Sequence, residues 1–137
     1  MDLRVIFDSN IWISFAIGKR LNDLKVALTH QRVEVFVCGK LLWEVSGTIL
    51  KPKLAKYISL DRRQILSDLM NACHYVEINE QISKSRDPND DFLLDLATKI
   101  KADYLITGDN DLLTLRSYQN TKIVSFPAFM AILDTMN

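Results

Sequence analysis

Two short apolar runs that each end abruptly in acidic residues constrain this chain more than any other feature. In Ala102-Asp103-Tyr104-Leu105-Ile106-Thr107-Gly108-Asp109-Asn110-Asp111 the β-forming residues are consecutive, and acids follow at alternate positions. Consecutive apolar residues suit a strand covered on both faces, as in a parallel sheet clad by helices. Ligands in such sheets bind in the crevice beyond the carboxyl ends of the strands, and Asp109 and Asp111 are then delivered there. Leu3-Arg4-Val5-Ile6-Phe7 repeats the arrangement and runs straight into Asp8-Ser9-Asn10. Stability alone does not ask for two strands that both drop carboxylates from their ends.

The rest of the chain alternates helices with strands. From Asn10, the residues Ile11, Trp12, Phe15 and Ala16 recur at helical spacing, with Ser9 or Asn10 available as cap. Leu21 to His30 predicts a second helix and Val33 to Cys38 a strand. Gly39 opens a helix with Leu41, Leu42, Val45 and Ile49 on one face. Pro52 breaks the chain; a short helical segment is expected over Leu54 to Ile58. A longer one follows from Asp61 to Cys73, with Ile65, Leu66 and Leu69 inward. Tyr75 to Ile78 predicts a short strand. A helix containing Asp91, the Tyr104 strand, a turn at Asn110, a strand over Lys122 to Ser125 and a helix over Phe126 to Met136 complete the order. This alternation gives an α/β fold: a central, mainly parallel β-sheet flanked by helices on both faces through right-handed crossovers. A single domain over residues 1–137 is expected, large enough to bury a core.

The formal net charge of +0 conceals an asymmetry. Lys19 to Arg63 carries 10 bases against 4 acids, net +6, whereas Glu77 to Asp111 carries 4 bases against 9 acids, net −5. An acidic focus beside a basic flank fits a metal site next to a path for a polyanion, although solvated surfaces produce such blocks too. Cys38 and Cys73 form neither a CxxC pair nor a disulfide framework, which points to reduced thiols in a cytoplasmic protein. Met1 leads directly into the first strand, so no cleavable signal is expected. The apolar run Ile11 to Ile17, interrupted by Ser14, is too short to span a bilayer. His30 and His74 have no Ser or Cys partner in a triad arrangement and are expected to be structural. The four glycines, at 18, 39, 47 and 108, are isolated, so no phosphate-cradling loop is present. Trp12 and Trp43 fall at helix-face positions and are assigned to the core in preference to a base-stacking role.

The acids divide by what explains them. Asp87 as helix N-cap, Pro88 at the first helical position and Asp90 in the first turn form a coherent helix start. That account covers Asp87 and Asp90 without any function. Asp91 is different: Leu93, Leu96, Ala97 and Ile100 define the buried stripe, and Asp91 lies in the first turn, where it can face the strand ends. Asp95, one turn on, is assigned to solvent. Glu44 is surrounded by Leu42, Trp43 and Val45 on a unit that starts at the same sheet edge as Asp8. A lone helical Glu is usually a surface residue; this neighbourhood shifts the balance. Carboxylates gathered in one pocket raise one another's pKa and need a cation to stay ionised together. Metal-free protein should therefore gain stability when one of them is neutralised. Oxygen-only ligands point to Mg²⁺ or Mn²⁺, which can polarise a phosphoryl oxygen and acidify a water.

The motifs together resemble the PIN-domain family. Asp8-Ser9-Asn10 after the first strand is similar to its opening. So are Leu41-Leu42-Trp43-Glu44-Val45 with Lys51-Pro52-Lys53-Leu54, Asp87-Pro88-Asn89-Asp90-Asp91-Phe92-Leu93, and the stretch from Ala102 to Leu113. More narrowly, the chain resembles the PIN-like toxin components of toxin–antitoxin systems, and the resemblance covers nearly its whole length. It implies a Mg²⁺- or Mn²⁺-dependent ribonuclease with a central parallel sheet. Asp8, Glu44 and Asp91 match the family's three core acids and Asp109 the fourth; Asp111 sits where many members carry a further acid. Asn10 and Thr107 match polar positions that support the acids.

The expectation is a metal-dependent endoribonuclease of single-stranded RNA, with Asp8, Glu44, Asp91 and Asp109 as catalytic residues. Those four and Asp111 are the expected metal ligands. Lys51, Lys53, Lys56, Arg62 and Arg63 are placed along the RNA backbone on electrostatic grounds. The partners expected are RNA, a cognate antitoxin protein and further copies of the chain in a homodimer or higher oligomer, with no membrane. The rival reading is an inactive module whose acidic cluster binds a cation or a partner protein. A phosphoacceptor receiver domain fits less well, because the paired Asp after the first strand and the late strand-end Lys are missing.

Overall fold

The computed structural model describes residues 2–78 and 88–136, and for residues 88–91 the backbone alone. Strands β1 (Leu3–Phe7), β2 (Val33–Cys38), β3 (His74–Val76), β4 (Tyr104–Ile106), β5 (Ser117–Tyr118) and β6 (Thr121–Val124) form one sheet. Their order is β3-β2-β1-β4-β6-β5. All pairings are parallel except that of β5 with β6. The helices are α1 (Ser9–Ile17), α2 (Leu21–Leu28), α3 (Gly39–Ile49), α4 (Pro52–Ala55), α5 (Leu60–Asn71), α6 (Pro88–Ile100), α7 (Asn110–Leu115) and α8 (Phe126–Asp134).

Neighbouring residues of a strand point to opposite faces. Val5, Ile6 and Phe7 are nevertheless all at 0% exposure, so β1 is covered on both sides. Phe7 packs edge-on against Trp12 of α1 and Phe129 of α8. On the β2 side, Val35, Val37, Leu41 and Leu66 continue the core. Leu93, Leu96, Ala97 and Ile100 of α6 are all buried, as their spacing requires, and Phe92 and Leu94 join them. Burial pushes the Cys73 thiol up to about 12 and raises that of Cys38, so both are neutral thiols at ordinary pH. No helix among the described residues is long and apolar enough to cross a membrane.

The sheet grows outward from β1 in one direction through β2 and β3, and in the other through β4 and β6. The reversal puts a crevice beyond the carboxyl ends of β1 and β4, the place where open α/β sheets bind ligands. Register sharpens this: Phe7 lies opposite Ile106, so the next residues, Asp8 and Thr107, leave the sheet side by side.

Several local expectations are corrected. The cap of α1 is Asp8, which accepts from Asn10 N, in place of Ser9 or Asn10. Asn110 opens helix α7 instead of making a turn, because the Asp109 side chain accepts from Asp111 N and caps it. The helix after Lys51 starts at Pro52, where proline's fixed φ suits a first helical position. In α5 the inward residues are Leu66 and Met70, while Ile65 is 45% exposed. The two-residue β5 is too short to leave a sequence pattern.

Candidate functional site

One wall of the crevice is built by the strand ends. Asp8 is only 5% exposed. Its Oδ2 accepts the Thr107 hydroxyl at 2.7 Å, and its Oδ1 accepts the Ser9 hydroxyl at 3.2 Å and Asn10 N–H at 3.4 Å. Thr107 is fully buried, and its Oγ1 accepts Asp109 N–H at 3.0 Å. Asp109 in turn accepts Asp111 N–H at 2.9 Å. A continuous run of hydrogen bonds therefore ties the end of β1 to the end of β4 and to the start of α7. Hydrogen bonds to a charged acceptor are stronger than neutral ones, and they fix the Asp8 carboxylate in place.

Helix α3 makes the other wall. Glu44 is half-buried, and its carboxyl is raised above the ordinary value, chiefly by burial. A hydrogen bond with Ser9 and the Lys40 charge oppose the rise, and the negative charge of Asp8 adds to it. Glu44 thus feels Asp8 across the crevice. Lys40 also sits 4.9 Å above the Phe92 ring, joining α3 to α6.

Between the walls lies a pocket of about 520 Å³, and its lining includes Asp8, Asn10, Glu44, Lys51 and Asp109. Ile13, Phe92 and Leu93 give it an apolar portion, and Trp43, Gly47 and Thr48 continue the α3 side. Carboxylates from three separate stretches of chain thus share one cavity. Asp111 borders a neighbouring depression instead, together with Gly108, and the two depressions have Asn10 and Asp109 in common. The side chain of Asp91 lies outside the described residues, as do Asp87 and the side chain of Asp90. Phe92 and Leu93, next along the chain from Asp91, line the pocket, so α6 begins at its edge.

The donor chemistry suits a hard divalent cation. The carboxylates supply oxygen alone, and the Asp8 charge acting on Glu44 is a repulsion that a cation relieves. Among the described residues, no three His, Cys, Asp or Glu side chains are grouped closely enough to hold an ion unaided.

Other residues fall where their sequence pattern did not place them. Trp43, assigned to the core, is 76% exposed at the pocket, while Trp12 is fully buried as expected. Asp95, assigned to solvent, is half-buried, and its Oδ2 is buried without a hydrogen-bond partner among the described residues. The basic residues separate. Lys51 lines the pocket, and Lys53 and Lys56 are exposed nearby in the sequence. Arg62 donates to the carbonyls of Ala16, Ile17 and Tyr57, and Arg63 to that of Ala55. The two guanidinium groups tie α5 to α1 and α4. The imidazoles make local contacts: His30 Nδ1 accepts Arg32 N–H, and His74 packs on Phe36.

The sequence profile of the PIN domain matches residues 4–111. No curated protein sequence matches the chain. Among solved structures, the chain is similar to VapBC2 from Rickettsia felis, crystallised with a DNA fragment from its promoter. The match has 14% sequence identity and a TM-score of 0.60, and covers 90% of this chain and 99% of the other. At that identity the likeness is one of fold.

Proposed function

This chain belongs to the PIN-domain family, and from that premise we propose that it is a metal-dependent endoribonuclease, cutting single-stranded RNA as the toxin of a toxin–antitoxin pair. The observation that carries the reading is the convergence of Asp8, Glu44 and Asp109, far apart in sequence, on a pocket that Lys51 also lines. The motif around Asp91 and the fold likeness to VapBC2 support it further, and the same likeness supports an antitoxin protein as partner.

Asp8, Glu44 and Asp109, with Asp91 from the first turn of α6, are the residues that would hold Mg²⁺ or Mn²⁺. A divalent cation bound there supplies positive charge against the scissile phosphate and lowers the pKa of a water. The chain's own groups do the rest. Asp8 binds without reorienting, because Thr107, Ser9 and Asn10 already fix both its oxygens. Glu44 brings a carboxylate to the pocket from α3, opposite those of the strand ends. Lys51 contacts a phosphate at the mouth of the pocket, and exposed Asn10 orients substrate between the two depressions.

Purified protein is expected to cut single-stranded RNA with Mg²⁺ or Mn²⁺ and not in EDTA. Asp91→Asn should abolish cutting while the protein remains folded by circular dichroism. Full activity in EDTA would remove the metal from the mechanism, and unchanged activity of folded Asp91→Asn would remove Asp91.

A further inference from the structure

Glu44 is the residue of α3 that takes part in that chemistry, and Trp43 and Gly47, which line the same pocket, are left without a part in it. Trp43 is the second most exposed large hydrophobic side chain among the described residues, at 76%. It lies in the same cavity as the acids, beside the apolar surface of Ile13 and Phe92. A scattered surface aromatic needs no explanation; one that borders a carboxylate pocket does. One turn further along the helix stands Gly47. Glycine in a helix interior is destabilising relative to alanine, and nothing among the described residues requires it here. A Cβ added at Gly47 would meet no atom of the described residues within 4 Å. Packing among the described residues therefore does not call for glycine here. Its other use is to let something outside the chain approach the helix backbone closely. Lys51, just past the end of α3, adds a positive charge at the same pocket.

We infer that Trp43 is a stacking platform for an unpaired nucleobase of the substrate, with Gly47 leaving room for its ribose and Lys51 taking the adjoining phosphate. A flat aromatic face beside a cation, next to acids that act on the phosphodiester, matches the two halves of a nucleotide. Stacking on an aromatic side chain needs a base already out of a duplex, so this subsite selects single-stranded over double-stranded RNA. Trp43 acts as a positioning residue and touches no reacting atom. The inference rests on the ribonuclease reading, and the two can fail separately in the experiment that follows.

The fluorescence of the tryptophans reports it directly, because Trp12 is fully buried and Trp43 is not. Metal-free protein in EDTA is titrated with a short oligoadenylate, with an abasic ribose-phosphate chain of equal length, and with an RNA duplex. Oligoadenylate is expected to quench the emission, and the other two are not. Trp43→Ala should bind oligoadenylate about 10- to 100-fold more weakly, the range expected for loss of one stacked base, while Trp43→Phe retains most of the affinity. Gly47→Ala should melt about 2–5 °C higher yet bind more weakly. With the metal-loaded enzyme, Trp43→Ala should raise KM more than it lowers kcat. Equal quenching by the abasic chain, no quenching by any RNA, or unchanged affinity in Trp43→Ala would each overturn the subsite. If Trp43→Ala cuts RNA with unchanged KM, the subsite falls and the ribonuclease stands. If base-dependent quenching occurs but the metal-loaded protein cuts no RNA, the ribonuclease falls and the subsite stands.

Discussion

Asp8 and Glu44 are carboxylates of one pocket, yet its two walls treat them in opposite ways. The strand-end wall surrounds Asp8 with donors from Thr107, Ser9 and Asn10 and leaves it 5% exposed. The α3 wall leaves Glu44 half-buried, with its carboxyl raised by burial and by the charge of Asp8. Strand ends are set by sheet register, so groups on them are held in place by neighbouring hydrogen bonds. A helix face is set by packing on its far side, and its near side is free to carry exposed groups such as Trp43. One wall therefore holds its carboxylate through fixed hydrogen bonds, and the other carries its carboxylate on a helix beside exposed groups.

Catalysis should not distinguish the walls. Asp8→Asn and Glu44→Gln are each expected to lower RNA cleavage by about 100-fold or more, roughly 2.7 kcal/mol of barrier. Initial rates at saturating Mn²⁺ measure this. An active Glu44→Gln enzyme would confine the site to the strand ends.

Stability should distinguish them. Thr107→Val removes the hydroxyl that joins Asp8 to Asp109 N–H and leaves both without that partner. A loss of about 1–3 kcal/mol is expected, read as a melting point lower by roughly 4–12 °C. Asp8→Asn should also melt lower in EDTA, by about 1 kcal/mol, because an amide nitrogen cannot accept the Thr107 proton. This reverses the expectation from charge alone, in which neutralising any acid of the cluster is stabilising. An Asp8→Asn protein that melts higher in EDTA would show that repulsion outweighs the hydrogen bonds.

Glu44→Gln should have the opposite sign and a smaller size. A carboxyl raised in the folded protein favours folding most when protonated. That contribution is fully present below the unfolded value of 4.5 and is lost as pH rises through the raised folded value. Above that window, charged Glu44 works against the fold, so metal-free Glu44→Gln should melt higher than wild type by about 1–3 °C, a modest figure because the group is partly solvated. The gap should close as pH falls to the unfolded value. Added Mn²⁺ should raise the wild-type melting point by mass action and do less for the variant. Equal gaps at neutral and acid pH would mean that Glu44 does not sense the cluster.

The smallest structural effect belongs to the lysines. Replacing Lys51, Lys53 and Lys56 with Gln should leave the melting point nearly unchanged and flatten the salt dependence of RNA binding. The log–log slope should fall by roughly 0.7 for each phosphate that is no longer neutralised. Arg62→Gln should do the reverse, destabilising the fold by removing its hydrogen bonds to the carbonyls while the slope holds. A slope that follows Arg62 and ignores the lysines would move the RNA path onto α5.

The sequence alone determined the five parallel strands and the acids at the ends of β1 and β4. Those features are short-range: consecutive β-formers mark a strand covered on both faces, and helical spacing marks the buried stripe of α6. It also placed Asp8, Glu44 and Asp109 close enough in the fold to share a pocket, through the motifs that resemble the PIN domain. Tertiary structure decided the rest. The bond from Thr107 to Asp8 spans 99 residues, and no local pattern announces which threonine a carboxylate will meet. Trp43 and Trp12 both read as core from their helix positions; only the packing of α3 shows that one of them faces the pocket. Arg62 and the lysines are equal in a charge count, and they part only where carbonyls of α1 come within reach of one guanidinium. Sequence pattern records what each residue prefers. Which preference is met depends on partners that only the folded chain brings together.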